Sequence, residues 1–114
     1  MAKIYVPERG DLVWLQFSPQ AGHEQRGVRP ALVVSSTIYN SKTGLALFCS
    51  VTNQVKGYPF EVALPPGLKV TGAVLADHVK NLDWKARQAK KIAAAPKSVV
   101  NQVVERIAAL VESL

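Results

Sequence analysis

The residues best suited to chemistry lie in residues 22–30, a segment with the sequence GHEQRGVRP. The segment holds one imidazole, one carboxylate at Glu24 and two guanidiniums, of which Arg29 is the second. Because proline disfavours helical backbone in the residue before it, Pro30 is expected to keep Arg29 extended. A guanidinium with a fixed position has the planar donor set that recognises a phosphate. The segment therefore indicates phosphate chemistry, with an ordinary solvated loop as the alternative interpretation.

The sequence favours a reaction that uses no metal ion and no cofactor. Its two histidines, His23 and His78, are too few for a histidine metal site, and its single cysteine, Cys49, excludes a cysteine-based zinc site. RNA carries its own nucleophile, the 2′-hydroxyl, so its cleavage requires only a base, an acid and charge stabilisation. Hydrolysis of DNA usually depends on metal ions. The residue types therefore point to RNA cleavage, or to nucleic-acid binding without catalysis, and we interpret both histidines as incidental to catalysis.

The charge of the chain indicates an anionic partner. The 114 residues carry a formal net charge of +6, and nucleic acid is a common ligand of basic domains. Within residues 80–97, Asp83 is the only acid, and the cations of this segment are Lys80, Lys85, Arg87, Lys90, Lys91 and Lys97. We expect no membrane association and no signal peptide, since no apolar run is long enough for either, and a reducing cytoplasm is the expected compartment.

Alternating apolar patterns predict a run of short β-strands. These strands are expected over residues 11–17, 30–36, 45–52, 60–64 and 72–79, with two further short strands around 80–84 and 89–93. The polar segments 18–28 and 53–59 are predicted as loops, and residues 40–44 as a turn. From Val99 to Val111 the apolar residues recur at helical spacing, which predicts an amphipathic C-terminal helix.

These elements predict a single mostly β domain with α, residues 1–114, in which the C-terminal helix packs on a small, strongly bent antiparallel barrel. Period-two geometry places Cys49 on the apolar face of the 45–52 strand and Thr52 on its other face. Both tryptophans are candidates for stacking on RNA bases. For Trp14, which lies inside an apolar run, packing in the core is the favoured interpretation.

An ordered set of short motifs, spread over nearly the whole chain, resembles the MazF/PemK family of toxins. The motifs are Tyr5-Val6-Pro7 with Gly10-Asp11-Leu12, Glu24-Gln25, Arg29-Pro30-Ala31, Tyr39-Asn40, Lys42-Thr43-Gly44, Lys56-Gly57-Tyr58-Pro59-Phe60-Glu61-Val62, Leu75-Ala76-Asp77 with Val79-Lys80, and Trp84 with Ala86-Arg87. The spacing between the motifs matches the family as well as their order does.

The resemblance implies an SH3-like (CcdB/PemK-type) barrel that forms a homodimer. It implies the toxin of a type II toxin–antitoxin system: an mRNA interferase that cuts single-stranded RNA at short sequences without metal, leaving a 2′,3′-cyclic phosphate and a 5′-hydroxyl. It also implies a cognate, MazE-like antitoxin, which neutralises the toxin by laying an acidic, partly disordered tail across the RNA groove.

The resemblance further implies roles for individual residues. Arg29 matches the family's catalytic arginine, Thr52 its catalytic threonine, and Glu24 a loop glutamate that supports activity. The residues that it assigns to RNA binding are Phe17, Lys56, Asp77, Lys80 and Arg87. For Asp77 a structural hydrogen-bonding role is the alternative.

Two positions depart from the family pattern. Leu75 stands where one branch of the family has an arginine that assists an aspartate corresponding to Asp77, and Gln16 stands where an acid is more usual. These departures place Asp77 in doubt as a base and suggest a different RNA preference. Two other classes of protein are alternatives: a gyrase poison that shares the barrel, and a nucleic-acid-binding barrel without activity. The first would require an aromatic C-terminus, whereas this chain ends in Ser113 and Leu114.

Overall fold

The chain forms six strands and two helices within residues 4–17 and 27–112, which are those that the computed structural model describes. In chain order the elements are β1 (Asp11–Gln16), β2 (Val28–Val33), α1 (Thr37–Thr43), β3 (Leu45–Thr52), β4 (Glu61–Ala63), β5 (Ala73–Asp83), β6 (Lys90–Ala94) and α2 (Lys97–Glu112). Most of the predicted strands and the C-terminal helix are therefore confirmed, with shifts of a few residues at their ends.

The strands form one antiparallel sheet in the order β4-β5-β3-β2-β1-β6. The two strands predicted around residues 72–79 and 80–84 are one continuous strand, β5, which pairs with β3 along most of its length and with β4 at its beginning. The β3–β5 ladder is interrupted by a bulge, and bulges bend a strand and increase its twist. The sheet is barrel-like, and its described ladder ends at β4 and β6 without closing.

Apolar side chains pack on both faces of the bent sheet. On one face, α2 buries Val99, Val100 and Val103 against a cluster that includes Cys49 and Val74. On the other face, a second cluster is formed by Val13, Leu15, Ala31, Val33, Ala46, Phe48 and Trp84. The predicted alternation along the 45–52 strand is confirmed, because Cys49 belongs to one cluster while Ala46 and Phe48 belong to the other.

The predictions for the two tryptophans are wrong. Trp14 is not in the core: its neighbours Val13 and Leu15 face the second cluster, so alternation turns Trp14 to the opposite side, where it is 44% exposed. Trp84 is buried instead, and its indole donates to the carbonyl of Asn40 at 2.9 Å.

The segment predicted as a turn over residues 40–44 belongs largely to helix α1. The Ser36 side chain caps its start by accepting from the Tyr39 N–H at 3.3 Å, and Gly44 ends it with a φ of 75°. These are the residue types that ordinarily begin and end helices. The structure thus shows two helix signals where the polar composition had suggested only a turn.

Asn40, on α1, is the polar centre of the fold and has no exposed surface. Its amide donates to the Pro7 carbonyl at 2.7 Å and to the Ser35 carbonyl at 3.2 Å. The Ser35 hydroxyl in turn donates to the side-chain oxygen of Asn40 at 2.5 Å. Since Trp84 also donates to its backbone carbonyl, this one residue ties the N-terminal segment, α1, the end of β2 and the segment after β5 together.

Replacing Asn40 by alanine is expected to destabilise the protein by about 3 kcal/mol, because several buried polar groups would lose their partners. For a domain of this size that corresponds to a fall in Tm of roughly 10 °C. Thermal unfolding followed by circular dichroism measures it. The control is Asn101→Ala on the exposed side of α2, which should change stability by no more than about 0.5 kcal/mol. An Asn40→Ala variant as stable as the control would show that the buried hydrogen bonds of Asn40 do not stabilise the fold.

Candidate functional site

Arg29 and Thr52 each lie two residues beyond the last pair of the β2–β3 ladder. Ala31 faces Ser50 and Leu32 faces Cys49 in this ladder. Extending that register by two residues places Arg29 opposite Thr52, and directly opposed residues share one face of a sheet. The Arg29 side chain is exposed and that of Thr52 is half-buried. The continued register therefore sets a guanidinium and a hydroxyl at neighbouring positions at this end of the ladder.

A groove with a volume of about 260 Å³ opens next to Thr52. The described residues that line it are Thr52, Gln54, Lys56, Tyr58, Glu61, Leu75, Asp77 and His78. One wall comes from the end of β3 and the segment that follows it, and the other comes from β4 and the middle of β5. The lining is rich in groups that donate, accept or carry charge, and it includes one exposed aromatic ring, that of Tyr58.

The hydroxyl of Thr52 is oriented by the backbone around it. Its Oγ1 accepts from the N–H of Gln54 at 3.0 Å, and within residues 4–17 and 27–112 no acceptor for its own proton is present. That proton is therefore available to a ligand. Gly72, with a φ of 109°, allows its own backbone to approach that of Thr52 closely, since a Cβ at this position would lie 2.1 Å from the carbonyl oxygen of Thr52.

The segment between β3 and β4 is held by the carboxylate of Glu61. This carboxylate accepts from the N–H of Gly57 at 2.7 Å and from the N–H of Lys56 at 3.1 Å. The N–H groups of Lys56 and its neighbours hold the pKa of the Glu61 carboxyl below its usual range. On the other side, Arg106 of α2 donates to the carbonyl of Pro59 at 2.8 Å. The segment is thus fixed at both sides, with Lys56 and Tyr58 on the groove wall.

A large bulge in β5 shapes the opposite wall of the groove. Cys49 pairs with Val79, and Val51 pairs with Val74, so one residue of β3, Ser50, stands opposite the four residues 75–78 of β5. Bulges break the alternation of a strand and re-aim its side chains. In β5 the bulge brings two consecutive residues, Asp77 and His78, to the same groove.

The structure does not bring all of the predicted site residues together. Thr52, Lys56 and Asp77 line the groove, whereas Arg29 is not among the described lining residues and is linked to it only by the continued register opposite Thr52. Glu24 lies outside the described residues. Phe17 and Lys80 are not among the described lining residues: Phe17 packs against the second cluster, and Lys80 is exposed farther along β5.

Arg87 has a partly structural role. Its Nη1 donates to the carbonyl of Phe17 at 3.1 Å and to that of Gln16 at 3.3 Å. The guanidinium therefore holds the end of β1, which limits how far it can turn towards a ligand. Another cation of the basic segment, Lys91, forms an ion pair with the buried Asp11 at 3.4 Å.

Five groove residues had no predicted role in the site: Gln54, Tyr58, Glu61, Leu75 and His78. Tyr58 and Glu61 fall inside the motif at residues 56–62, which contained the signal, but a glutamate in a short alternating strand looks like an ordinary solvated residue. His78 carries no signal in the sequence, because its orientation depends on the bulge. Within the described ranges, no three histidine, cysteine, aspartate or glutamate side chains lie close enough to hold a metal ion, and no helix is long and apolar enough to cross a membrane.

Known proteins share both this sequence and this fold. A family model described as PemK-like, MazF-like toxin of type II toxin–antitoxin system matches residues 8–111. The endoribonuclease toxin MazF of Escherichia coli K12 is 50% identical over 100 residues, covering 87% of this chain and 89% of that protein. The endoribonuclease PemK of Escherichia coli is 35% identical over 107 residues, covering 90% of this chain and 80% of that protein.

Solved structures give the same result. The crystal structure of MazF from Deinococcus radiodurans superposes with a TM-score of 0.86 at 55% identity, covering 95% of this chain and 98% of that one. A crystal structure of MazE-MazF from the same organism matches with a TM-score of 0.86 at 48% identity, covering 96% of this chain and 98% of that one.

Proposed function

The chain belongs to the PemK-like, MazF-like family of toxins of type II toxin–antitoxin systems and is an endoribonuclease toxin, and we propose that it cuts single-stranded RNA at short sequences without a metal ion, leaving a 2′,3′-cyclic phosphate and a 5′-hydroxyl. The proposal is carried by the β2–β3 register, which, when continued past its last pair, sets Arg29 opposite Thr52, a residue that lines the groove. This pair supplies a guanidinium and a free hydroxyl proton at the place where a phosphate can bind.

The proposed reaction needs few groups from the protein. The 2′-oxygen attacks the adjacent phosphorus, and the bond from phosphorus to the 5′-oxygen breaks. Arg29 holds the phosphate and stabilises the charge that develops on its equatorial oxygens, and Thr52 donates a hydrogen bond to the same group. A guanidinium almost never releases its proton in a protein, so the base is another residue. Glu24 is our candidate, because it belongs to the same sequence segment as Arg29.

The groove suits an extended RNA strand. Lys56 supplies a positive charge, and its Nζ lies 6.0 Å from the centroid of the Tyr58 ring. Tyr58 is 57% exposed, so its ring is open to stacking with a base. Phe17, Asp77, Lys80 and Arg87 extend the proposed contact surface beyond these two. Phosphate contacts from the cations set the position of the strand, whereas contacts with base edges in the groove set the cleaved sequence.

Two macromolecular partners belong to the proposal. The first is a cognate MazE-like antitoxin with an acidic tail; the solved MazE-MazF structure of Deinococcus radiodurans supports it. The second is another copy of the chain, since two small barrels together can build a longer groove than one. Light scattering should then give about twice the monomer mass of 12.4 kDa. We place this toxin and its RNA substrate in the cytoplasm.

The proposal is tested with the purified chain and a long single-stranded RNA in excess EDTA. We expect undiminished cleavage at a small set of sites, mapped by primer extension. The comparison preparation is the Arg29→Ala variant, purified in the same way, which reveals any contaminating nuclease. Loss of cleavage in EDTA that magnesium restores would overturn the metal-free mechanism.

Replacing Glu61 by alanine should raise the KM for RNA by roughly 10-fold while kcat falls much less. The reason is that the segment carrying Lys56 and Tyr58 loses the acceptor for its N–H groups, and small displacements of positioning groups have large kinetic effects. Steady-state cleavage of a short fluorogenic RNA separates the two constants. Glu61→Gln, which retains one carbonyl oxygen, should lie between wild type and Glu61→Ala.

The matched control for this prediction is Glu105→Ala, which removes the same charge from the exposed side of α2. It should leave KM near the wild-type value. If Glu105→Ala and Glu61→Ala raise KM equally, the effect comes from net charge and the assigned role of Glu61 is wrong.

A further inference from the structure

We propose that His78 is the general acid of the cleavage reaction, its imidazolium donating a proton to the 5′-oxygen that leaves phosphorus. This inference rests on the proposed function and adds a residue to it. The bulge in β5 is the structural basis of the inference, since regular alternation would have turned His78 away from the face that Asp77 occupies. At the bulge, both residues line the groove that Thr52 also lines.

His78 is well placed to move a proton. Its side chain is exposed, so it can reach a bound strand and can recover a proton from water. Among the described residues, the charged and titratable groups that line its groove are Asp77 on the same strand, Lys56 and Tyr58 on the segment after β3, and Glu61 on β4. Within this part of the chain, the proton donor is therefore chosen among these groups and His78.

Chemistry selects the imidazole from this set for the acid. Ammonium, phenol and hydroxyl groups ordinarily hold their protons too tightly near pH 7, and carboxylates have usually lost theirs. An imidazole is the side chain that ordinarily changes protonation between about pH 5 and pH 8. A general acid is most effective when its protonation changes near the working pH.

The step balances without any further reactant. The base takes the proton of the 2′-hydroxyl, a bond forms between the 2′-oxygen and phosphorus, and the bond between phosphorus and the 5′-oxygen breaks. The proton of the imidazolium goes to that 5′-oxygen, which leaves as a hydroxyl. The neutral imidazole then takes up a proton from water before the next turnover.

The test compares the wild-type protein with His78→Gln on two RNA substrates of the same sequence. One has the natural 5′-oxygen at the cleaved bond, and the other has a bridging sulfur at that position. On the oxygen substrate we expect His78→Gln to lose roughly 100-fold or more in rate, the usual effect of removing a general acid. The decline of the rate at high pH that a general acid imposes should disappear. On the sulfur substrate it should match wild type, because thiols have a pKa of about 8.5 and their anions leave without protonation.

The control is Gln54→Ala, which alters the groove lining without removing a titratable group. Any loss that it causes should be equal on both substrates. His78→Gln activity that is unchanged on the oxygen substrate, or reduced equally on both, would overturn the role of His78 while wild-type cleavage still upheld the proposed function. If wild-type protein cut neither substrate, the proposed function itself would fail and this inference with it.

Discussion

Replacing Arg29 by alanine is expected to reduce the rate of RNA cleavage by roughly 1,000-fold, the upper range for one well-placed donor to developing negative charge. The expectation follows from the continued β2–β3 register, which sets Arg29 opposite the groove residue Thr52. Arg29→Lys should recover little of the loss, since lysine lacks the planar pair of donors that fits two phosphate oxygens. Single-turnover cleavage with excess enzyme measures the chemical step separately from binding.

The matched control for Arg29 is Lys42→Ala. Lys42 is an exposed cation on α1, which leads into the start of β3, whereas Thr52 is at the other end of that strand. This variant loses the same unit of charge and should cleave RNA at nearly the wild-type rate. An Arg29→Ala variant that retained a tenth or more of the wild-type rate would show that Arg29 contributes through general charge and not through catalysis.

Replacing Glu24 by glutamine is expected to lower the cleavage rate roughly 100-fold or more, the usual scale for a lost general base, while RNA binding persists. The sign of the pH effect is fixed by the role. A base must be deprotonated, so the wild-type rate should fall as pH falls through the carboxyl pKa, and Glu24→Gln should lack this acidic limb. A pH–rate profile under single-turnover conditions, with binding measured by fluorescence anisotropy, tests both parts.

Asp77→Asn is the comparison that separates the two candidate bases. Asp77 lines the groove, so its carboxylate is the other acid to consider. If Glu24→Gln keeps near-full activity and its acidic limb while Asp77→Asn loses both, the base is Asp77. The base controls the acidic limb of the pH–rate profile, and the general acid, for which we propose His78, controls the limb at high pH.

The parts of the fold that depend on local pattern could be predicted from the sequence. Alternation along β3 correctly separated Cys49 from Phe48, and helical spacing located α2. The family motifs led to the fold and to the class of enzyme. These features depend on residues close in sequence, where one period decides which side chain faces the core.

The features that could not be predicted from the sequence depend on partners that are distant along the chain. The exposure of Trp14 reflects which face of β1 is covered, and no property of the apolar run itself reveals that. The burial of Asn40 depends on Pro7 and Trp84 closing around it. The groove could not be predicted in full for the same reason: the bulge that places His78 beside Asp77 in the groove lining is visible only in the register between β3 and β5, which are distant in sequence.

The measurement that tests the central claim most directly uses an RNA oligonucleotide with one cleavage site, and a second copy in which the nucleotide before the cut carries hydrogen in place of its 2′-hydroxyl. If the 2′-oxygen is the nucleophile, the first should be cut to a 2′,3′-cyclic phosphate and a 5′-hydroxyl, identified by mass spectrometry. The second should bind with similar affinity and stay intact. Cleavage of the 2′-deoxy copy at the same bond would contradict the account, because it would require water as the nucleophile.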